Sequence, residues 1–318
     1  MPKILTVTLN PTVDLSSDTD AVRPVRKVRT RNERFDPGGG GINVARVVAK
    51  LGGDVEAIYL AGGEIGSLLD RLLADQGIAR QRIAIAGQTR VGYIVHEQST
   101  GLEYRFVPEG PHITAADCEA CRSVLASRKP DYLICSGSLP GGAPADTYVR
   151  FAELAAAQGA KFVLDSSGDG LRTTLETDAV FLVKPSLGEL EQFVGRKLDA
   201  DAAARAAADI VERGLAELVA VTLGNDGAIL AGRGEVLRLP AIPVRVTSAV
   251  GAGDSFLAAM VWALGEGWTK VDAFRLGVAA GAAAAMTPGT ELCMVEDVWA
   301  LFERAFGERP AVPARRPG

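Results

Sequence analysis

Several things are scarce in this chain of 318 residues, and each scarcity closes a class of function. No Gly-x-Gly-x-x-Gly occurs, the spacing that brings backbone close to a dinucleotide pyrophosphate, which counts against a Rossmann-type dinucleotide enzyme. No lysine follows a glycine, so no Walker-type phosphate loop exists. Histidine is limited to His96 and His112, neither at metal-ligand spacing, and no Gly-x-Ser-x-Gly elbow is present, which removes histidine-based hydrolase chemistry. Of four cysteines, Cys118 and Cys121 form a lone C-x-x-C that Cys135 and Cys293 do not complete into a zinc set; they read as ordinary helix positions. Basic residues do not dominate. The net charge of −5 argues against a nucleic-acid partner but leaves room for a small phosphorylated substrate, which needs only a local positive cluster. No apolar run reaches the roughly 18 residues of a membrane span; "LGVAAGAAAAM" reads instead as a helix packed inside the fold. The first residues resemble a strand and not a signal peptide, which with the few cysteines points to the cytoplasm.

The remaining composition, 47% apolar and 23% charged, is that of a globular chain. Strand-like runs ("KILTVTL", "VEAIYLA", "DYLICSG", "AKFVLDS", "AVFLVKP", "ELVAVTLG") alternate with amphipathic helical runs such as "GINVARVVAKLG" and "DAAARAAADIVERG". Such alternation predicts a mainly parallel sheet covered by helices on both faces, with ligands beyond the carboxyl ends of the strands. Residues 15–36 and 88–108 break the pattern with short alternating runs and predict a small accessory sheet.

Two glycine-rich stretches stand at helix starts. Gly38 to Gly41 lead into a helix whose first turn carries Asn43; they suit a tight turn or the close approach of a ligand, and an amide at that place can hydrogen-bond a sugar hydroxyl. "GAGD" places Gly251, Ala252 and Gly253 before Asp254. Asp254 either caps the helix or works beside an anion-binding nest, where an acid can take the proton of an attacking hydroxyl in phosphoryl transfer. Lys27, Arg29 and Arg31 alternate and would share one face of a strand, as a charged solvated edge or as phosphate contacts. Arg90 opens an apolar strand and by itself reads as a surface arginine, while Asp165 ends a strand and reads as a residue that fixes the turn after it.

"GGGGINVAR" and "SAVGAGDSFLAAM", with "TLNPTVD", "SGSLPGG", "VLDSSG", "LVKPSLGEL" and "TLGNDGA" in the expected order, resemble the ribokinase/PfkB sugar kinases over nearly the whole chain. "YRFVPEG", and Gly40 where related kinases carry lysine, are most similar to the PfkB-type 6-phosphofructokinases. The resemblance implies a ribokinase-like three-layer α/β/α core (1–14, 37–87 and 109–310), a β-sheet lid (15–36 and 88–108) forming a homodimer contact, and a tail at 311–318. It implies ATP and Mg²⁺ as cofactors, with a monovalent cation such as K⁺ near Ala249, and phosphorylation of fructose 6-phosphate at its C1 hydroxyl. Fructose 1-phosphate and tagatose 6-phosphate are the alternative acceptors, and a silent sugar-phosphate sensor is the alternative of another class. Asp254 would be the base and Gly251, Ala252 and Gly253 the anion hole. Asp14, Gly38, Gly39 and Asn43 would hold sugar hydroxyls, and Lys27, Arg90 and Ser138 the sugar phosphate. Lys184, Ser186, Thr222, Gly224 and Gly227 would line the ATP site, with Glu189 organising Mg²⁺ through water. Ser186 departs from the asparagine of the family's N-x-x-E, which puts the usual contact to the nucleotide phosphates and metal shell in doubt.

Overall fold

The structure is a computed structural model that describes residues 1–177 and 180–310; the expected tail at 311–318 lies outside the described residues. The chain opens with β1 (Lys3–Thr8), then leaves the main layer for β2 (Thr12–Thr19) and β3 (Arg31–Gly38). It returns through α1 (Gly40–Lys50), β4 (Asp54–Ala61), α2 (Gly63–Asp75) and β5 (Ala79–Ala84). A second excursion builds β6 (Arg90–Glu97) and β7 (Glu103–Phe106). Next come α3 (Ala115–Ala126), β8 (Tyr132–Ser136), α4 (Thr147–Ala157), β9 (Lys161–Asp165), α5 (Gly168–Leu175), β10 (Leu182–Val183), α6 (Leu187–Val194) and α7 (Ala200–Glu212). The chain then runs through β11 (Leu218–Thr222), β12 (Ala228–Gly232), β13 (Glu235–Leu239), α8 (Ala252–Gly265), α9 (Lys270–Ala285) and α10 (Val295–Phe306).

The large sheet has the order β13-β12-β11-β10-β9-β8-β1-β4-β5. It is parallel from β11 to β5, and β12 and β13 close one edge as antiparallel strands. Its strands are buried on both faces. Ile4 points into a core built with α1, α8, α9 and α10, while Leu5 and Val7 point into a second core built with α3, α4 and α7. That is why the strands read as continuous apolar runs instead of alternating ones. The internal-helix expectation for "LGVAAGAAAAM" holds: it falls in α9, where small residues allow close packing on α8. Cys118 and Cys121 are buried positions of α3.

The small sheet has the order β3-β2-β6-β7. Two expectations need correction here. The run Val25–Arg31 is not a strand: Pro24 has no N–H to give a ladder and Val25 adopts a left-handed φ of 63°, so only Arg31 begins β3 and Lys27 sits in an exposed loop. The strand expected from "AVFLVKP" is regular over two residues only: Phe181 and Lys184 still donate to β9 at Phe162 O and Leu164 O, but Pro185 has no N–H to carry the ladder on and α6 follows, while Ala179 lies outside the described residues.

Candidate active site

The carboxyl ends of β1, β8, β9, β10 and β11 open toward one cleft, and the order of the chain reverses direction beside β1, the place where such sheets leave a crevice. β9 ends at Asp165 and β10 runs into Lys184, whose ammonium lies 3.0 Å from Asp165 Oδ1. Ser136 at the end of β8 donates to Asp165 Oδ2 at 3.3 Å. Burial raises the Asp165 carboxyl to about 6 against the pull of Lys184. Burial also works against the Lys184 ammonium, but Asp165 more than offsets it and Lys184 ends above its ordinary range.

Helix α8 starts beside this pair. Gly251 is its N-cap at φ 72°, a conformation that favours glycine, and a Cβ there would overlap the Leu292 side chain. No side chain caps this helix, so the capping alternative for Asp254 does not hold: Asp254 stands in the first turn and accepts from Asn43 Nδ2 at 2.8 Å instead. A Cβ on Gly253 would lie 3.3 Å from Lys184 Nζ, so the helix start and the ammonium face one another closely. Burial raises Asp254, while the Asn43 hydrogen bond and Lys184 act in the opposite sense. The result is a partly accessible carboxyl, a helix N-terminus with its positive dipole end and an ammonium, all within one short span.

Asn43 comes from α1, whose N-cap Gly39 (φ 110°) is likewise without a side-chain cap. The glycine run lies tight against its neighbours: a Cβ on Gly40 would overlap Ser136 Oγ. Asp14 on β2 pairs in register with Gly92 on β6 and with Asp36 on β3. A Cβ on Gly38 would overlap Asp14 Oδ2, and one on Gly92 would reach 2.6 Å from Oδ1. Both glycines therefore make room for this carboxylate, which burial pushes up to about 6 while its bond with Thr12 and the Arg105 charge hold it lower.

Arg90 holds backbone in this conformation, donating to Asn10 O at 2.8 Å and Pro108 O at 2.9 Å, while its buried Nε has no partner. Ser138 is exposed in the turn after β8. Lys27 is exposed in the β2–β3 loop. Ser186 caps α6 in a capping box: its hydroxyl and backbone N–H both donate to Glu189 Oε2, at 2.8 and 2.7 Å, and Glu189 N–H donates back to its Oγ. The serine thus shapes the helix start and fixes Glu189, which remains close enough to act on Asp165 and Lys184. Thr222, Gly224 and Gly227 line an adjacent cleft of about 520 Å³ with Ala252 and Gly253, walled by Val246, Phe256 and other apolar groups. A flat aromatic base fits such walls.

Among the described residues, no group of three or more His, Cys, Asp or Glu could hold a metal ion alone. A single carboxylate, Glu189, beside the Asp165–Lys184 pair fits Mg²⁺ only as an ion held chiefly by nucleotide phosphates and reached through water, the ordinary mode for this ion.

Residues 5–297 match the model described as pfkB family carbohydrate kinase. The chain belongs to this family. The PfkB chain is 44% identical to the ATP-dependent 6-phosphofructokinase isozyme 2 of Mycobacterium tuberculosis, covering 96% of this chain and 90% of that one. It is 37% identical to the 1-phosphofructokinase of Haloferax volcanii, covering 93% and 95%. Solved structures of Escherichia coli phosphofructokinase-2 superpose over most of the chain: one with substrates and products (TM-score 0.90, 36% identity, 95% and 99% covered) and one with potassium (TM-score 0.92, 36% identity, 96% and 99% covered). The fold is the ribokinase-like α/β fold with its smaller sheet, and the protein is a sugar kinase of the phosphofructokinase group.

Sequence reasoning missed two arginines. Arg105 on β7 is in register with Ile94, which pairs with Ser16, which pairs with Arg34; this row shares the Asp14 face of the small sheet. Its charge lowers both Asp14 and Asp254. Its signal was alternation along a four-residue strand, too short to stand out. Arg46 is 4% exposed on α1, and its signal was a cation on the apolar face of a helix.

Proposed function

We propose that this kinase transfers the γ-phosphoryl group of MgATP to the C1 hydroxyl of fructose 6-phosphate. The observation that carries the reading is Asp254, held by Asn43 in the first turn of an uncapped helix that faces Lys184. Asp254 accepts the hydroxyl proton as the oxygen attacks. The N–H groups of Ala252 and Gly253 and the Lys184 ammonium face the charge on the transferred group, which is where electrostatic help matters most. Glu189 would organise Mg²⁺ through water, and the ion would supply further charge neutralisation on the nucleotide phosphates. Asp14, Gly38, Gly39 and Asn43 take the sugar, with Asp14 accepting from its hydroxyls. Arg90, freed from Pro108, takes the sugar phosphate together with Arg105, Ser138 and Lys27. Guanidinium groups suit paired phosphate oxygens. Thr222, Gly224 and Gly227 hold the nucleotide. The potassium complex of the Escherichia coli relative supports a monovalent cation, which the proposal puts near Ala249.

The small sheet works as a lid, excluding water during transfer. Its outer face carries one apolar row, Phe35–Leu15–Tyr93–Phe106, in register across all four strands. Phe35, Tyr93 and Phe106 are 47%, 47% and 59% exposed. A second copy of the chain covers this row in the homodimer we propose.

Fructose 1-phosphate is the second acceptor to test, on the strength of the Haloferax volcanii relative. ADP release with MgATP and a panel of fructose 6-phosphate, fructose 1-phosphate, tagatose 6-phosphate, fructose and ribose decides it. A clear kcat/KM preference for fructose 6-phosphate is expected. Preference for another sugar replaces the acceptor, and binding of ATP and sugar phosphate without turnover replaces the kinase reading of the site with a sensor.

A further inference from the structure

The Arg46 guanidinium is enclosed by five groups. It donates to Gln76 Oε1 at 2.9 Å, Pro37 O at 2.8 Å, Thr290 O at 3.2 Å and Asn43 Oδ1 at 3.3 Å, and lies 3.9 Å from Asp36 Oδ1. Asp36 is itself held by Arg34 at 2.8 Å and Thr290 Oγ1 at 2.9 Å. Three segments meet on this one side chain: the glycine run at Pro37, the Asn43 turn, and the loop whose Leu292 packs on Gly251. A guanidinium is a donor only, with no lone pair to offer. Asn43 must therefore turn its carbonyl toward Arg46, which leaves its NH₂ toward Asp254.

We propose that Arg46 is a positioning residue that fixes the Asn43 amide, so that Nδ2–H and not the carbonyl oxygen faces Asp254 Oδ2. The inference rests on Asp254 being the base of the reaction. Without Arg46 the amide is free to turn over and set oxygen against oxygen, which displaces the carboxylate and favours its protonated form. Arg46 also acts on Asp254 through its charge, which Arg46→Lys keeps; the other charged groups acting on it are Lys184 from the β10–α6 turn, Asp14 from β2, Arg105 from β7 and Asp165 from β9. None of them touches Asn43 through a hydrogen bond among the described residues, so their contribution is common to every variant below.

The test is the pH profile of kcat for the full chain, Arg46→Lys, Asn43→Ala and the double variant, with folding checked by circular dichroism. Arg46→Lys keeps the charge but loses Nε, the donor to Gln76, and with it the planar group that aims Nη1 at Pro37 O and Asn43 Oδ1. Its acid limb is expected to move to higher pH by about one unit, the scale of one hydrogen bond to a charged group. Its kcat at neutral pH is expected to fall about tenfold, with KM for ATP little changed. In the Asn43→Ala background the same substitution adds less than about twofold, because the amide it acts through is gone. Additive losses with an unmoved acid limb overturn the proposal and leave Arg46 as packing. Should Arg46→Lys not fold, Gln76→Ala at the exposed end of α2 removes one anchor of Arg46; it shifts the limb in the same direction by less, and an unmoved limb there overturns the proposal equally. Asp254→Asn run alongside separates the two ideas: if it stays active, the base assignment itself fails, and if it is inactive while the Arg46 series is additive, only the positioning role fails.

Discussion

The two sheets divide the labour of this kinase in unequal physical terms. The nine-stranded sheet is buried on both faces, and Lys184 and Asp165, proposed to work at the phosphates, stand at its carboxyl edge beside the start of α8, where packing holds them. The four-stranded sheet has one face toward the cleft, with Asp14 and Arg105, and an outer face with Phe35, Tyr93 and Phe106 in the open. A sheet anchored on one side can move, and a group that must meet a sugar can sit on it. A group that must meet a transition state needs the rigid layer. The comparison predicts that lesions at the large-sheet edge act on kcat and lesions in the small sheet act on KM or assembly.

The sharpest break is at Asp254, the proposed base. Asp254→Asn is expected to lower kcat by on the order of 10²–10⁴ with sugar binding retained, measured by ADP release and calorimetry. Near-normal turnover would remove this residue from the mechanism. Lys184→Met follows, with a loss in kcat of about 10², the scale of removing one donor to developing charge. It also strands the buried Asp165 carboxylate, so a stability loss of about 3–5 kcal/mol should show in urea unfolding. A variant that is both stable and active would show that the pair serves neither purpose.

Asp14→Asn tests the small sheet with two readouts of opposite sign. The sugar KM should rise about tenfold through one lost charged hydrogen bond, while Tm should rise by a few degrees. The sign follows from linkage. The folded-state value of about 6 lies above the ordinary 3.8, so the buried carboxylate weakens the fold fully above about 6, and that penalty fades as pH falls toward 4. The Tm gain of the variant is therefore largest near neutral pH and vanishes toward 4, and in the parent protein the sugar KM rises as pH falls through about 6. The smallest effect on a single chain is at the outer face: Phe35→Ser should lower the sedimentation coefficient at a given concentration with Tm nearly unchanged. An unchanged coefficient would place any self-association elsewhere.

Legibility differed between the two sheets for the same reason. "KILTVTL" and "DYLICSG" announced buried strands because a doubly covered strand is apolar throughout. "VRKVRTR" misled because its alternation of charge suited a strand, while Pro24 and the φ of Val25 interrupt the backbone. Ser186 stood out in the sequence as a loss relative to the family. In the fold it closes a capping box with Glu189, a gain visible only when the N-cap and N3 positions are known. Arg46 stood in "GGGGINVAR" as a cation on an apolar helix face, with Asn43 one turn away, but its partners at 76 and 290 come from distant parts of the chain.

What the sequence by itself determined is local: the glycines at 38–41 and 251–253, the acid one step beyond the second run, and the alternation that builds a covered parallel sheet. These depend on backbone freedom, helix starts and hydrophobic period, all set within a few residues. Tertiary structure alone decided that Asn43 meets Asp254 across 211 positions of chain, that Lys184 meets Asp165, and that Gly38 and Gly92 close on Asp14. Those meetings depend on strand order and register, and buried charges acquire their shifted affinities for protons only once the fold has taken water away from them.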